Sequence, residues 1–333
     1  MAMRDIQAAG WSDPGLFLKQ VVGQCEPVVL RGLVGAWPAV HAARQSPAAF
    51  RDYVLQFDLG RETEAFVGHA AIRGKYYYRD DLNGFNFERR RMRFAEAIDL
   101  IVRNLDQADA ETVYVGSLPI LDYLPDLATD NILSVIPGVR PRLWLGHASN
   151  ISTHYDTLDN VACVVAGSRT FTLYPPETIG DLYVGPIDNT MAGQPVSLAA
   201  SARGDEDQYP RFEAVRDQAL VAKLEAGDAI YMPKLWWHQI EATAPFNGLV
   251  NYWWDAFPAG PDQPNTAMLL AMIAIAERPA RERAAWRAFF DHYVFRPDGH
   301  PLAHLPAEQH GLLGPLKDNY GKIRARVMHL LRG

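Results

Sequence analysis

The feature that most restricts the fold of this chain is its centre, residues 143–257, where strand signals dominate. Short apolar or β-branched runs at 161–166 and 170–174 are joined by Gly167-Ser168, a pair typical of a hairpin turn. Three further strands are predicted at 230–232, 238–242 and 249–254. The pattern therefore predicts a core made mainly of β-strands.

The segments on either side of this centre show helical spacing of apolar residues. Before it, helices are predicted at 13–23, 46–57 and 93–105, and strands at 27–32 and 112–116. After it, helices are predicted at 265–277, 281–293 and 317–331. We therefore expect a first domain at 1–257, with its strand-rich core at about 112–257, and a helical region at 258–333.

Composition excludes several classes of protein. The net charge of -7 argues against a broadly cationic face for nucleic acid. The two cysteines, Cys25 and Cys163, form neither a disulfide framework nor a Cys-x-x-Cys motif. The longest apolar run, 267–276, is about half of the roughly 20 residues that a membrane helix needs. Since the first residues also lack the apolar stretch of a signal peptide, we expect a cytoplasmic protein without a membrane partner.

His154 and Asp156 are two residues apart immediately before a predicted strand. In an extended segment, residues two apart point to the same face, so both side chains can converge on one ion. The best candidate for a third ligand is His238, at the start of a later predicted strand in Gly227-(x5)-Pro233-(x4)-His238. Two histidines and one aspartate on one face leave other coordination positions open, as non-haem Fe(II) oxygenases require.

Each part of this metal site has an ordinary alternative. A His-x-Asp pair can be accidental or locally hydrogen-bonded, and His238, after Trp236-Trp237, could be a satisfied core histidine. His147 is a competing candidate ligand, whereas the other histidines lie outside the strand-rich centre. The conjunction favours a metal, because both segments lie in that centre and are bounded by turn signals.

Around these residues the sequence resembles a known family, the JmjC or cupin-like 2-oxoglutarate oxygenases. The motif is Thr153-His154-Tyr155-Asp156-(x3)-Asn160-(x6)-Gly167-Ser168-Arg169-(x)-Phe171-(x)-Leu173-Tyr174-Pro175-Pro176. Tyr114 upstream, and Asn251-Tyr252-Trp253 downstream, extend the similarity to about residues 27–257. The branch that it most resembles contains the asparaginyl hydroxylase that modifies the hypoxia-inducible factor. The resemblance implies a double-stranded β-helix, or jelly roll: mainly β with helices, with N-terminal α/β elements and a C-terminal helical region.

The resemblance also implies roles for individual residues. His154, Asp156 and His238 would be the iron ligands. Arg169 stands where the family usually has a lysine that binds the far carboxylate of 2-oxoglutarate, and a guanidinium can grip a carboxylate through two hydrogen bonds. Without the family, Arg169 would be interpreted as a surface strand residue.

Four further residues match positions that surround the family's cosubstrate and iron. Tyr114 would reach the cosubstrate with its hydroxyl, Asn160 and Asn251 would line the iron site, and Trp253 would wall the pocket; each could instead be an ordinary core residue. Two positions depart from the pattern. Ile151 replaces a threonine, and Gly116 replaces a glutamine that contacts substrate in the asparaginyl hydroxylase branch, which argues against the same peptide substrate.

The implied cofactors are Fe(II), 2-oxoglutarate and O₂, and the implied reaction is hydroxylation of a C–H bond with decarboxylation of 2-oxoglutarate to succinate. A protein or peptide side chain is the favoured substrate, and a tRNA base or a small molecule is the alternative. The basic run at 89–93 could meet RNA, although such a run is more often the solvated start of a helix. A long loop at 183–209, with Asp205, Glu206 and Asp207, is expected to shape the entrance. The apolar stripes on the C-terminal helices could pack against the barrel of the same chain or form a symmetric homodimer.

Two other classes of function remain open at this point. The spacing from Gly227 to His238 also resembles the second motif of cupins that hold zinc or manganese without oxygenase activity. Leu235 replaces the glycine of that motif, however, and Arg169 would then have no purpose. A non-catalytic scaffold is the third class, and the intact set of two histidines and one aspartate argues against it.

Overall fold

A computed structural model describes residues 3–77, 84–107, 109–187, 194–200, 208–260 and 262–332. Asp205, Glu206 and Asp207, which we predicted to shape the entrance, lie outside these residues. The chain divides into two compact units, Met1–Ala256 and Phe257–Gly333. Among the described residues, no helix is both long and apolar enough to cross a membrane.

The first unit contains all the strands that the structure describes. They are β1 (Arg4–Gln7), β2 (Val28–Arg31), β3 (Glu62–Gly68), β4 (Lys75–Tyr76), β5 (Glu88–Arg93), β6 (Thr112–Pro119), β7 (Pro141–His154), β8 (Asp159–Ala166), β9 (Ser168–Tyr174), β10 (Leu220–Glu225), β11 (Ala229–Met232) and β12 (Trp237–Trp254). Its helices are α1 (Pro14–Gln20), α2 (Pro38–Gln45), α3 (Pro47–Leu55), α4 (Phe94–Asn104), α5 (Ile120–Tyr123), α6 (Pro125–Asp130) and α7 (Glu213–Arg216).

The strands form two layers that share the long strands β7 and β12. One layer has the order β1-β2-β11-β8-β12-β7-β6-β3-β5, and the other adds β10 and β9 to the first half of β12. Each long strand bends from one layer into the other. In β12 the bend coincides with a register shift between Ala242 and Phe246, where Pro245 cannot donate to the ladder. This architecture confirms the predicted double-stranded β-helix.

The hairpin predicted at Gly167-Ser168 is wrong. Strands β8 and β9 do not pair with each other; both pair with β12, which β8 meets at 248–254 and β9 at 237–242. The chain therefore bends at Gly167, whose φ is +71°, and continues in the same direction. A side chain there would collide with the carbonyl oxygen of Phe246, so the glycine is required by a close approach of two backbones.

Strand β8 is buried along its whole length because both of its faces are covered. Ala162 and Val164 face the space between the two layers, while Val161, Cys163 and Val165 face a larger core that the helices cover. This burial on both sides explains why the run is continuously apolar rather than alternating. It also confirms that Cys163 is a buried core thiol.

The sequence of helix α4 explains both why this segment is helical and which of its faces packs into the larger core. Phe94, Ala97, Ile98 and Ile101 recur at helical spacing and are buried. The carboxylate of Glu96 accepts a hydrogen bond from the backbone N–H at the start of the helix. Helix α4 and its neighbours close the outer face of the sheet, which fixes the strands that carry the functional side chains.

The second unit consists of helices. They are α8 (Pro264–Ile275), α9 (Ala280–Phe290) and α10 (Leu316–Arg332). None of the residues in these three helices is buried. Many apolar side chains in this unit are consequently exposed, including Ile273, Phe289 and Phe295.

Candidate metal centre and its cavity

The strand pairing of β7 and β12 brings two of the predicted ligands together. His154 is the last residue of β7, His238 is the second residue of β12, and the two are directly opposite in the antiparallel register. Their imidazole centroids are 4.4 Å apart. Asp156 follows two residues after His154, at the same end of the barrel.

The three side chains form a compact group. One ligand atom from each of His154, Asp156 and His238 lies within 4.8 Å of the others. The shortest distance between an imidazole and the carboxylate joins Nε2 of His238 to Oδ2 of Asp156, at 3.8 Å. His238 is buried, whereas the other two are half-buried at the cavity wall. Such spacing suits a cation that all three side chains bind from one side. The opposite side of the cation stays accessible to other ligands.

Both imidazoles are oriented by backbone carbonyls. Nδ1 of His154 lies 2.8 Å from the carbonyl oxygen of Ser152, and Nδ1 of His238 lies 2.9 Å from that of Trp236. An Nδ1–H donated to a carbonyl leaves Nε2 as the metal-binding nitrogen. Burial, aided by the neighbouring His154, lowers the pKa of His238 to about 4, so this ring is neutral and able to bind a metal at pH 7.

The carboxylate of Asp156 is held by two donors on one oxygen. The indole Nε1 of Trp253 donates to Oδ2 at 2.9 Å, and the amide of Asn160 approaches the same oxygen at 3.4 Å. Asn160 in turn accepts from Asn251 at 3.1 Å, and Asn251 accepts from Trp144 at 2.7 Å. The structure thus places three of the predicted residues in one hydrogen-bonded network behind the aspartate.

Arg169 is 2% exposed, in contrast to the surface position that its residue type would suggest. It lies on β9, opposite Ala242 of β12 and Leu224 of β10. Its Nε has no hydrogen-bond partner among the described residues. Burial lowers its pKa, which reflects the unfavourable desolvation of the charge. A buried guanidinium with an unpaired N–H is a strong attractor for a carboxylate, so these residues fit the far end of 2-oxoglutarate.

Tyr114 on β6 is the buried neighbour of that guanidinium. Burial raises the pKa of its phenol to about 12, and the positive charge of Arg169 opposes this shift. The hydroxyl is therefore a protonated donor near neutral pH. Gly146 on the paired strand makes room for the ring, since a side chain there would approach Tyr114 within 2.9 Å.

A cavity of about 510 Å³ opens in front of these residues. Its wall includes His154, Asp156, Tyr114 and Trp253 among the predicted site residues, whereas His238, Arg169, Asn160 and Asn251 are buried outside the wall. Both positions that depart from the family pattern, Ile151 and Gly116, lie in the wall. The remaining wall residues are Phe66, Tyr76, Phe87, Arg89, Ser117, Arg142, Trp144, Ser152, Gln194 and Val196.

His147, the competing candidate ligand, lies outside the metal group, and its ring contacts the backbone. Its Nδ1 accepts from the backbone N–H of Val113 at 2.9 Å, and its Nε2 lies 3.0 Å from the carbonyl oxygen of Ile101. Both ring nitrogens are thus used by the backbone, and burial lowers the pKa of this ring. His147 is a structural histidine that joins β7 to α4.

The basic run at 89–93 lies in strand β5, so its interpretation as a helix start is wrong; helix α4 begins only at Phe94. The strand forms because it pairs with β3, and the arginines meet acids nearby. Arg90 contacts Glu111 at 2.7 Å, and Arg89 lies 3.5 Å from Glu64. The hydrogen bond to Arg90 lowers the pKa of Glu111. These ion pairs reduce the charge that the run could offer to RNA.

The wall residues that sequence reasoning missed include Arg142, Trp144 and Ser117. Arg142 and Trp144 are two residues apart on β7, and this alternation could have placed both on one face. No comparable signal marks Ser117, whose position depends on an irregularity in the strand pairing.

Comparison with known proteins gives a consistent result. A family model described as a cupin-like domain matches residues 14–260. Jumonji C domain-containing protein 5 of Drosophila melanogaster is 33% identical over 133 residues, which are 40% of this chain and 32% of that protein. Lysine-specific demethylase JMJ31 of Arabidopsis thaliana is 29% identical over 156 residues, 43% of this chain and 28% of that protein. The tRNA wybutosine-synthesizing protein 5 of Mus musculus is 32% identical over 107 residues, 32% of this chain and 31% of that protein.

These similarities cover only about a third of each of those relatives. A longer match, to JmjC domain-containing protein E of Dictyostelium discoideum, is 23% identical and covers 74% of this chain and 73% of that protein. The names of these relatives include different activities, so the similarity identifies a common domain rather than a common substrate.

Proposed function

This chain belongs to the cupin-like domain family of the JmjC proteins, and we propose that it is an Fe(II)- and 2-oxoglutarate-dependent oxygenase. One observation carries the proposal: the group His154, Asp156 and His238 shares a barrel with a buried arginine whose Nε has no hydrogen-bond partner in the described part of the chain. A metal-binding cupin without oxygenase activity explains the three ligands but gives Arg169 no anion to bind.

In this proposal the two histidines hold the iron through Nε2 and Asp156 holds it through its carboxylate. Arg169 binds the far carboxylate of 2-oxoglutarate, and the protonated hydroxyl of Tyr114 donates to the same group. When bound, Fe(II) and 2-oxoglutarate supply the chemistry of oxygen activation, with release of succinate and carbon dioxide. The residues of the chain bind and orient these groups.

The hydrogen bond from Trp253 keeps Asp156 in the orientation that the metal requires. A supporting donor of this kind typically changes metal affinity by about 10- to 100-fold. The aromatic rings of Trp144 and Trp253 meet edge to face at 5.7 Å and form an apolar wall beside the metal group. An apolar wall limits access of water and so protects a reactive oxidant from side reactions.

For the reaction we propose hydroxylation of a C–H bond, with a protein side chain as the favoured substrate. A cavity of about 510 Å³ accepts a group of the size of an amino-acid side chain together with the cosubstrate. A tRNA base is the second candidate, favoured by the tRNA wybutosine-synthesizing relative and by Arg89 in the cavity wall. The ion pairs of the neighbouring basic strand weigh against it.

The proposal is tested by conversion of 2-oxoglutarate to succinate by purified protein with added Fe(II), first without any other substrate. We expect succinate to form in the wild type and to fall to background in Asp156→Ala, while metal analysis shows loss of bound iron from the variant. Equal succinate formation by the two proteins would refute the assignment. A wild type that binds metal but neither binds nor consumes 2-oxoglutarate would favour the non-oxygenase cupin.

A further inference from the structure

Arg142 is a cation in the cavity wall without an acidic partner among the described residues. Its Nη1 donates at 2.8 Å to the backbone carbonyl oxygen of Ser117 and at 2.8 Å to the Ser117 hydroxyl. Both acceptors are neutral. The guanidinium is thus held in place, but its charge is not compensated by this contact.

The position of Ser117 results from a strained turn in strand β6. The pairing with β7 shifts between Val115 and Leu118, so three residues on β6 span the distance of two on β7. This β-bulge holds Ser117 at a φ of +55°, a conformation that is unfavourable for a residue other than glycine. Strain of this kind concentrates at functional sites, where it orients a particular group. Here the group oriented is the guanidinium of Arg142.

The indole of Trp253 contacts both this guanidinium and the metal group. It lies 5.9 Å from the ring centroid of Trp253, and the same indole donates its Nε1–H to Asp156. Arg142 therefore approaches the ring whose N–H supports the metal-binding carboxylate. The contact with the indole also holds one planar face of the guanidinium. The N–H groups at its edge that do not bind Ser117 remain for a ligand in the cavity.

The charge balance of the wall indicates what such a ligand carries. Among the described wall residues the cations are Arg89 and Arg142, and Asp156 is the only acid. A bound metal ion would offset the negative charge of Asp156. Most of the remaining wall is aromatic or aliphatic, and its members include Phe66, Phe87 and Trp144. The cavity thus combines an apolar surface with an uncompensated positive charge.

We infer that Arg142 is the substrate-recognition residue of this cavity, and that it binds a carboxylate or phosphate group of a substrate whose reacting part is apolar or aromatic. This inference rests on the proposed oxygenase function, because it assigns Arg169 to the cosubstrate and Arg142 to the substrate. The bulge at Ser117 sets the position of the charge, and Trp253 sets its distance from the metal ligands.

The test is a calorimetric titration of full-length protein loaded with Zn²⁺, which replaces iron without turnover, and saturated with 2-oxoglutarate. Because 2-oxoglutarate then occupies Arg169, a second anion reports on the cations of the cavity wall, Arg89 and Arg142, and the Arg142 variants show how much of the signal belongs to Arg142. The probes are benzoate, its neutral analogue benzamide, and phenyl phosphate. We expect the wild type to bind benzoate about tenfold more tightly than benzamide, in line with the strength of a charge-assisted hydrogen bond.

In Arg142→Gln we expect the preference for benzoate over benzamide to disappear. Arg142→Lys should keep part of it, because the charge remains but the planar fork of donors is lost. The matched control is Arg140→Gln, since Arg140 is an exposed arginine two residues earlier that pairs with Asp122. The control should retain the wild-type preference. The ratio of phenyl phosphate to benzoate affinity identifies which oxyanion fits.

A wild-type preference that persists in Arg142→Gln would overturn the inference, as would a wild type that binds both neutral and anionic probes equally or not at all. Failure of the oxygenase function has a different signature, namely absence of 2-oxoglutarate binding in the first step. In that case the same titrations in an Arg169→Gln background, without 2-oxoglutarate, still decide whether Arg142 binds the anion.

Discussion

His154 and His238 face each other across one antiparallel strand pair, at the end of β7 and the beginning of β12. Their register is set by the pairing of two long strands and not by a flexible loop. A one-residue slip would turn one imidazole to the opposite face of the sheet. The two imidazoles are therefore positioned by the sheet itself.

Because two of the proposed ligands are part of the sheet and Asp156 follows directly after β7, the loss of one ligand should affect metal binding far more than folding. We predict that Asp156→Ala reduces bound iron and succinate formation to background while the far-ultraviolet circular dichroism spectrum stays that of the wild type. Asp217→Ala, a change of the same type at an exposed position, should leave all three measurements unchanged. An Asp156→Ala protein that retains stoichiometric iron would contradict the ligand assignment.

The support that Trp253 gives to Asp156 can be tested separately. Trp253→Phe keeps an aromatic ring but removes the donor of the 2.9 Å hydrogen bond. We predict that metal affinity falls by about 10- to 100-fold, with little change in melting temperature. The comparison is Trp254→Phe, because Trp254 packs against Tyr231 in the core and makes no contact with the aspartate. If both variants lose metal equally, the hydrogen bond has no special role.

Arg169 should reduce stability when the cosubstrate is absent, since none of the residues that the structure describes accepts from the Nε–H of this buried guanidinium. We predict that Arg169→Met abolishes binding of 2-oxoglutarate yet leaves the free protein as stable as the wild type or more stable by about 1 kcal/mol. Thermal unfolding with and without 2-oxoglutarate measures both effects. Addition of 2-oxoglutarate should raise the melting temperature of the wild type only.

Arg169→Lys is the informative control for that experiment. It restores the charge that the family usually has at this position, and we expect weakened but measurable 2-oxoglutarate binding. Unchanged affinity in Arg169→Met would show that another cation binds the far carboxylate. Large destabilisation of Arg169→Met would instead show that the guanidinium is satisfied in the free protein.

The grouping of the three proposed ligand residues could be predicted from the sequence because each lies in a local pattern. His154 and Asp156 are two residues apart at the end of β7, and His238 is the second residue of β12. The burial of Arg169 was less accessible to sequence reasoning, because an arginine in a strand is ordinarily exposed. Only its place in the motif indicated an internal position, and the structure gives the physical reason: Arg169 lies on the same face of β9 as the buried Phe171 and Leu173.

The errors arose where local signals have two structural meanings. Gly167-Ser168 signals a change of direction, and a strand that bends into another layer needs the same glycine as a hairpin. The runs at 238–242 and 249–254 were predicted as two strands, but they form the single strand β12. Pro245 marks a register shift within that strand rather than its end. Ser117 could not be found, because a bulge depends on the partner strand and not on the local sequence.

His147 should make stability depend on pH. Its folded-state pKa is lowered from the ordinary value of 6.5, mainly by burial. Below that value the unfolded state binds more protons, so the stabilisation present above pH 6.5 is lost as the pH falls. We predict that the urea midpoint of the wild type decreases from about pH 7.5 to about pH 5.5.

In His147→Asn this decrease should be smaller, because asparagine can still accept from Val113 but does not titrate. His238 contributes a pH dependence of the same sign, so the comparison of the two proteins isolates the share of His147. His41→Asn, a change at an exposed histidine of the same unit, should show the full wild-type decrease. Equal slopes for the wild type and His147→Asn would show that His147 does not titrate differently on folding.

The exposed apolar side chains of the C-terminal unit lead to a prediction about assembly. Ile273 is 79% exposed, and the helices that carry it and its apolar neighbours bury none of their own residues. A second copy of the same unit would cover these side chains symmetrically, so we propose a homodimer formed through α8 and α9.

Ile273→Glu should therefore shift sedimentation from dimer to monomer, because a carboxylate in an apolar interface loses hydration without a partner. Ile132→Glu, at a residue of the first unit that is 62% exposed, should remain dimeric. A wild type that is monomeric at micromolar concentration would contradict the dimer, and an unchanged dimer in Ile273→Glu would place the interface elsewhere.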